Sequence, residues 1–207
     1  MVLQAWIFYF YRISILKIKR IEPKFVLKTG RLYVNPIAKM QKILIISDTH
    51  SFLDNRLMEH VEWCDQIWHG GDWGNVSLSD TLEAIKPIQG VYGNIDDMTV
   101  RQIYPKINHF QCEDLIISMT HIAGAPSKYK PDALECFSIQ KPDIFVCGHS
   151  HILQVKRDLN RNKMLFINPG AAGTHGFHTV QTAVRLKIDG KRIFDVEVVE
   201  MERKSQG

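Results

Sequence analysis

Side chains that bind metal ions recur in five short clusters along this 207-residue chain. Each is a histidine, a carboxylate or an amide, and each follows an apolar run that predicts a β-strand. Two divalent cations that share one bridging carboxylate are a common device for attacking phosphate esters, and they need a ligand set of this kind. The seven candidate ligands are Asp48, His50, Asp72, Asn94, His121, His149 and His151.

The ligand types favour particular metals. Imidazole nitrogens mixed with carboxylates suit Mn, Fe, Zn or Ni better than Ca or Mg, which prefer shells of oxygen. Glycines adjoin several candidates, at Gly71, Gly93 and Gly148, and they let the loops bend so that the ligands converge. We therefore expect two divalent transition-metal ions per chain, with Mn²⁺ as the first choice.

The elements that position these residues alternate between strands and helices after Lys42. This order predicts parallel strands, whose carboxyl ends meet at one edge of the sheet. The run Ile43–Ile46 is apolar throughout, as expected of a strand covered on both faces. The predicted elements are strands over 43–46, 66–68 and 88–92 and helices over 52–64 and 79–86, with Ser77 or Ser79 capping the second helix.

The second half of the chain is richer in strands. Pro131 fits the first turn of a helix over 131–139, and turns at 160–162 and 189–190 separate β-rich runs. Residues 40–207 therefore predict one domain of two facing sheets with helices outside. The strands are expected over 107–111, 115–120, 143–147, 153–157, 164–167, 179–188 and 192–200.

Charge is divided unevenly between the N-terminal segment and the body. The net charge is +4, but residues 1–39 carry eight basic residues and one acid, and the rest carries 18 basic and 21 acidic residues. The body lacks the basic stripe that grips duplex DNA. Residues 1–39 are interpreted as an extension, either disordered or an over-called start; the alternative is a segment that lies on an anionic membrane surface.

Composition also bears on the compartment. The apolar stretch over 5–11 is too short for a transmembrane segment. The four cysteines have no CxxC spacing, which fits reduced thiols in a cytoplasmic protein. The sequence leaves the oligomeric state open, a homo-oligomer included.

The ordered motifs resemble those of the calcineurin-like metallophosphoesterases, in particular the small bacterial and archaeal phosphodiesterases. The resemblance covers about residues 42–201 and rests on Asp48-x-His50, Gly71-Asp72, Gly93-Asn94-x-Asp96, His121 and Gly148-His149-x-His151. It implies a four-layer αββα sandwich, in which two mixed sheets are flanked by helices. It also implies hydrolysis of a small phosphodiester by a hydroxide that bridges the metals. By the resemblance, Asp48, His50, Asp72 and His151 hold one metal, and Asp72, Asn94, His121 and His149 hold the other.

Two departures from the family pattern narrow the function. The family often has a histidine, able to protonate the leaving oxygen, where this chain has Ile95. Losing a positioned acid costs about 10²–10⁴-fold in rate, so we expect diesters with good leaving groups rather than alkyl monoesters. The segment 71–75 also lacks the Asp-Arg-Gly of Ser/Thr phosphatases and diadenosine tetraphosphate hydrolases, which disfavours those families.

Other residues are candidates for supporting roles. Asn94, a neutral ligand, would keep the cations electrophilic, and Asp96 would orient Asn94 or a ligand histidine; the alternative for Asp96 is a turn residue. Trp73, His175 and His178 are candidate substrate contacts, with core or loop positions as the alternative.

Two other functions compete with a small-molecule phosphodiesterase. One is a nuclease or cyclic-nucleotide phosphodiesterase, since a short single strand needs no basic stripe. The other is a non-catalytic scaffold of the same fold, like a retromer subunit that works through protein contacts. The complete set of seven candidate ligands favours the enzyme.

Overall fold

The computed structural model describes residues 24–28, 31–35, 40–176 and 179–202. The chain divides into two units, residues 1–37 and 38–207. In the first unit, strands β1 (Lys24–Lys28) and β2 (Arg31–Asn35) form an antiparallel hairpin. The interpretation of residues 1–39 as an extension of a 40–207 domain stays a prediction.

Strands dominate the second unit, and short helices connect them. No helix of the described ranges is both long enough and apolar enough to cross a membrane. The strands are β3 (Gln41–Ile46), β4 (Gln66–His69), β5 (Ile88–Gly90), β6 (Ile107–Cys112), β7 (Leu115–Thr120), β8 (Gly124–Ala125), β9 (Lys128–Tyr129), β10 (Ile144–Val146), β11 (Gln154–Asp158), β12 (Met164–Asn168), β13 (Val180–Asp189) and β14 (Arg192–Glu202). The helices are α1 (Met58–Trp63), α2 (Val76–Glu83), α3 (Met98–Ile103) and α4 (Pro131–Ile139).

Two mixed five-stranded sheets form the frame of this unit. The first has the order β14-β13-β3-β4-β5, in which β3, β4 and β5 are parallel and β13 is antiparallel to β3. The second has the order β11-β12-β10-β7-β6, in which β10 is parallel to both β7 and β12. The parallel strands carry their following loops to a common edge.

Alternation along the central strands builds three apolar layers. Ile43 and Ile45 of β3 pack between the sheets, whereas Leu44 and Ile46 pack against the helices. In the second sheet, Phe145 of β10 packs outward against α4. A buried strand needs apolar residues on both faces, which explains the uninterrupted run in β3. The fold is a four-layer αββα sandwich, as predicted.

The helices differ from the predictions in their bounds. The helix expected over 52–64 is a 3-10 turn at Asn55–Leu57 followed by α1, because Asp54 caps the turn at the Arg56 amide. The predicted cap of α2 is wrong: Asn75 caps the helix, and its side chain accepts from the Ser77 amide. Helix α3, which was not predicted, begins after its cap residue Asp97.

Candidate metal centre

Loops from both sheets meet at one edge of the sandwich. Asp48 follows β3 and Asp72 follows β4, and the two loops are joined because the Asp48 amide donates to the Gly71 carbonyl at 2.9 Å. His121 directly follows β7, and the His149 loop follows β10. The backbone amide of His149 donates to both carboxylate oxygens of Asp48 at 3.1 Å, which links the two sheets at the candidate site.

Backbone strain is concentrated in the loops that carry the candidate ligands. Five of the seven adopt a positive φ, between 47° and 69°. Residues with a side chain rarely adopt this left-handed region, and such strain clusters where surrounding structure holds functional groups in place. The five are Asp48, His50, Asp72, His149 and His151.

Two glycines permit the close approach of these loops. A side chain on Gly93 would collide with the carboxylate and amide of Asp72. A side chain on Gly148 would collide with the side chains of Ser47 and Asp48. Glycine suits both positions because a carboxylate oxygen of Asp72 at Gly93, and the Ser47 hydroxyl at Gly148, occupy the space that a Cβ would need.

One group of candidate ligands surrounds Asp48. Asp48, His50 and His151 each offer a ligand atom, and these three atoms lie within 4.8 Å of one another. The Nε2 of His151 lies 3.3 Å from the Oδ1 of Asp48. This group matches three of the four ligands that the resemblance implies for the first metal.

A second group surrounds His121. Asp48, Asp72 and His121 also bring three ligand atoms within 4.8 Å of one another. The Oδ1 of Asn94 lies 3.1 Å from the Nε2 of His121 and 2.8 Å from the Nδ1 of His149. All four ligands implied for the second metal therefore lie together.

Asp72 lies between the two groups. Its Oδ2 is 3.8 Å from the Nε2 of His50, and its Oδ1 is 3.3 Å from the Nε2 of His121. The amide of Ile95 donates to the same Oδ1 at 3.1 Å and helps to orient the carboxylate. One oxygen thus faces each group, which is the arrangement a shared carboxylate requires.

Histidine nitrogens in the site are prepared to bind a cation. The Nδ1 of His121 donates to the carbonyl of Gly70 at 2.8 Å, which directs Nε2 toward the carboxylates. The Nε2 of His50 is buried and has no hydrogen-bond partner among the described residues. A buried polar atom without a partner is costly unless something binds it, and a metal ion fits this donor set.

Charges in the site shift the histidine pKa values in different directions. Burial lowers the pKa of His50, against the opposing charges of Asp72 and Asp48. The hydrogen bond with Asp48 raises the pKa of His151. For His121, burial alone would lower the pKa, but the Asp72 hydrogen bond and the charges of both aspartates outweigh it and raise the pKa. A cation held by these residues would displace such protons, because a histidine ligand must be neutral.

Asp96 supports the site through backbone amides. It is buried, and its two oxygens accept from the amides of Gly74, at 2.9 Å, and Gly93, at 2.7 Å. These side-chain hydrogen bonds act on the backbone of the loops, and the role of Asp96 in orienting Asn94 or a ligand histidine stays a prediction. Asp96 joins the loops that carry Asp72 and Asn94.

His69 and Trp73 belong to a buried aromatic stack rather than to the candidate metal site. Trp73 is fully buried, and its ring is stacked between His69, at 3.5 Å between centroids, and Tyr104, at 4.4 Å. This burial contradicts the prediction that Trp73 contacts substrate. The amide of Gly71 donates to the Nδ1 of His69 at 3.1 Å, so the other ring nitrogen carries the proton and donates to Thr49 at 2.9 Å.

His175 and Ile95 are exposed residues at the rim of the candidate site. His175 is exposed, and its ring centroid lies 4.7 Å from that of His50. Its role as a substrate contact stays a prediction. His178 lies outside the described residues. Ile95 is 46% exposed next to Asn94.

Two residues outside the candidate set, Asn168 and Arg101, position the ligand loops. The side chain of Asn168, at the end of β12, donates to the carbonyl of Gly148 at 2.8 Å and to Ser150 at 3.0 Å. Arg101 of α3 donates to the carbonyls of Asp96, at 2.8 Å, and Asn94, at 3.3 Å. Asp97 was an available signal for α3, because Asp is a favoured N-cap residue.

A known protein family matches most of the chain. The model of the calcineurin-like phosphoesterase superfamily domain matches residues 41–191. The chain belongs to this superfamily. Members bind divalent metals, and the two ligand groups described above are the candidate sites in this member.

Individual proteins that resemble this chain have low sequence identity to it. A probable metallophosphoesterase of Methanothermobacter thermautotrophicus is 25% identical over 161 residues, which are 75% of this chain and 90% of that protein. A Thermotoga maritima protein with a solution NMR structure is 25% identical, with a TM-score of 0.60 over 78% of this chain and 99% of that one. The zinc complex of Vps29 from Entamoeba histolytica is 18% identical, with a TM-score of 0.59 over 78% of this chain and 98% of that one, and shows the fold alone.

Proposed function

We propose that this member of the superfamily is a binuclear metal-dependent phosphodiesterase that acts on small phosphodiesters. The observation that carries the proposal is the position of Asp72, whose two carboxylate oxygens face two separate groups of ligand side chains. One oxygen toward each group suits two cations held close together.

The proposed ligand sets overlap at Asp72. Imidazole and carboxylate ligands favour Mn²⁺, with Fe, Zn or Ni as alternatives. A bound cation pair supplies Lewis acidity toward a water molecule and toward the phosphate oxygens. The first set is Asp48, His50, Asp72 and His151, and the second is Asp72, Asn94, His121 and His149.

Residue 95 helps to orient the Asp72 carboxylate and cannot donate a proton to the leaving group. Ile95 binds Asp72 through its backbone amide and has no acidic proton on its side chain. A good leaving group needs no proton as it departs, whereas an alkyl oxygen does. The proposed substrates are therefore diesters with good leaving groups.

Two alternatives have specific support. The similarity of fold to Vps29 fits a scaffold that binds protein partners. A nuclease or cyclic-nucleotide phosphodiesterase fits the same ligand groups. The strained backbone at five candidate ligands favours an enzyme, because a scaffold has no need to hold metal-binding side chains in a costly conformation.

Hydrolysis of bis(p-nitrophenyl) phosphate tests the proposal. Purified protein is assayed with Mn²⁺, with and without a chelator, and metal content is measured on the same samples. We expect Mn²⁺-dependent turnover that the chelator abolishes. If two metals are bound per chain and no turnover is seen, the enzyme proposal is overturned and the scaffold alternative remains.

A further inference from the structure

A small recess adjoins the candidate metal centre on the side of α3 and α4. Its volume is about 70 Å³. Two candidate metal ligands, Asn94 and His121, form part of its wall. The volume holds several water molecules, and so one phosphoryl or carboxylate group. Because the same two residues line the recess and the metal centre, a group in the recess would lie beside a phosphate at the centre.

Arg101 presents a guanidinium group in a defined orientation at this recess. Its Nε and Nη2 donate to the carbonyls of Asp96 and Asn94, and its charge lies 4.8 Å from the ring centroid of Tyr92. A guanidinium group has five N–H donors, so further donors remain beyond these two bonds. Its planar fork suits phosphate and carboxylate groups, and holding it in place lowers the entropy lost on binding.

Lys106 supplies a second positive charge to the same wall. Its Nζ lies 2.9 Å from the Oδ1 of Asp132, which also lines the recess and neutralises part of that charge. With Arg101 included, the two cations and one acid leave a net charge of about +1. The recess therefore favours an anion, and Asp132 weakens that preference.

We propose that this recess binds a second anionic group of the substrate. The substrate is then a phosphodiester that carries a further phosphate or carboxylate near the scissile group. The inference rests on the proposed function for the position of the scissile phosphate. It adds Arg101 and Lys106 as the residues that select the substrate.

A matched pair of substrates tests this selection. The p-nitrophenyl ester of thymidine 5′-phosphate is compared with the same ester carrying a 3′-phosphate, in Mn²⁺ at pH 8. The two share the scissile bond and the leaving group and differ in one anionic group. We expect kcat/KM to be about tenfold higher for the 3′-phosphorylated ester, as a charge-assisted contact allows.

Variants of the wall change this ratio in opposite directions. Lys106→Gln should lower it about fivefold, and Asp132→Asn should raise it about threefold, because each changes one partly exposed charge. Lys191→Gln removes an exposed lysine that does not line the recess, and should leave the ratio unchanged. Equal kcat/KM for the two esters in the parent protein, or one ratio shared by all the variants, would overturn the proposal.

Failure of the catalytic proposal has a different signature. If neither ester is hydrolysed, the affinities of thymidine 3′,5′-bisphosphate and thymidine 5′-monophosphate are compared by calorimetry in the same buffer. Tighter binding of the bisphosphate by about tenfold, reduced in Lys106→Gln, supports the recess in a protein without turnover. Equal affinities overturn the recess as an anion site.

Discussion

Two buried histidines at strand ends have different surroundings. His69 ends β4 and His121 follows β7, and both are almost fully buried. His69 has a partner for each ring nitrogen and stacks on Trp73. His121 bonds a carbonyl through one nitrogen and faces a carboxylate with the other. Burial and position are shared, so the groups that each ring faces determine which histidine can hold a metal.

The pKa values follow the same division. Burial and the nearby His121 hold the pKa of His69 well below its ordinary value. The aspartates raise the pKa of His121 in spite of its burial. A neutral histidine with both ring nitrogens hydrogen-bonded stabilises the fold, whereas a histidine beside carboxylates is suited to exchange a proton for a cation.

Removing the carboxylate shared by the two groups should have the largest effect. Asp72→Ala is expected to remove both metals and to lower kcat about 10³-fold or more, because charge stabilisation by both cations is lost. Metal analysis and hydrolysis of bis(p-nitrophenyl) phosphate measure the two effects. Asp80→Ala, which removes an exposed acid on α2, is the matched control. Two metals per chain in Asp72→Ala would contradict the bridging assignment.

Separate substitutions of two histidines should distinguish an effect on stability from an effect on metal binding. His69→Ala is expected to lower the free energy of unfolding by about 3 kcal/mol, because it leaves a cavity under Trp73 and unpairs buried polar groups. His50→Asn should change it by less than about 1 kcal/mol, since Asn tolerates a positive φ, but should lose one metal per chain.

Urea unfolding and metal analysis on both variants measure these effects. The comparison fails if His50→Asn is as unstable as His69→Ala. It also fails if His50→Asn keeps two metals per chain.

Acid should weaken the fold through His69. Its pKa is well below 6.5 in the folded protein, whereas the unfolded chain binds a proton near pH 6.5. The stabilisation by neutral His69 is therefore full above pH 6.5 and is lost as the pH falls below it. Between pH 6.5 and 5, the wild type should lose up to about 1.4 kcal/mol per pH unit more than His69→Gln. Urea unfolding with a chelator present measures both slopes, and equal slopes would exclude His69 as the cause.

A new histidine at the rim should have the smallest effect. Ile95→His places an imidazole beside Asn94, where it can protonate a leaving oxygen. The ratio of monoesterase to diesterase activity should rise about threefold to tenfold, less than for an acid in a site built around it. Activities toward p-nitrophenyl phosphate and its bis ester give the ratio, with Ile95→Leu as the control. An unchanged ratio would show that Ile95 does not determine the preference.

Sequence patterns predicted the fold well where burial dictates residue type. The run in β3 and the Pro131 helix start are local signals, and the structure confirms both elements. Helix α3 was not predicted and the cap of α2 was predicted at the wrong residue, because short helices depend on side-chain caps and tertiary packing more than on periodicity. The interpretation of residues 1–39 as an extension of the domain stays a prediction.

The sequence by itself determined which residues are available as ligands, because imidazole, carboxylate and glycine are chemical identities that folding does not change. It also predicted that these residues follow the carboxyl ends of strands. Only the tertiary structure decided which of them converge. It placed Trp73 in the core, turned Asp96 toward two amides and brought Arg101 and Lys106 beside the candidate ligands Asn94 and His121. These outcomes depend on contacts between residues far apart in the chain, which local sequence patterns do not predict.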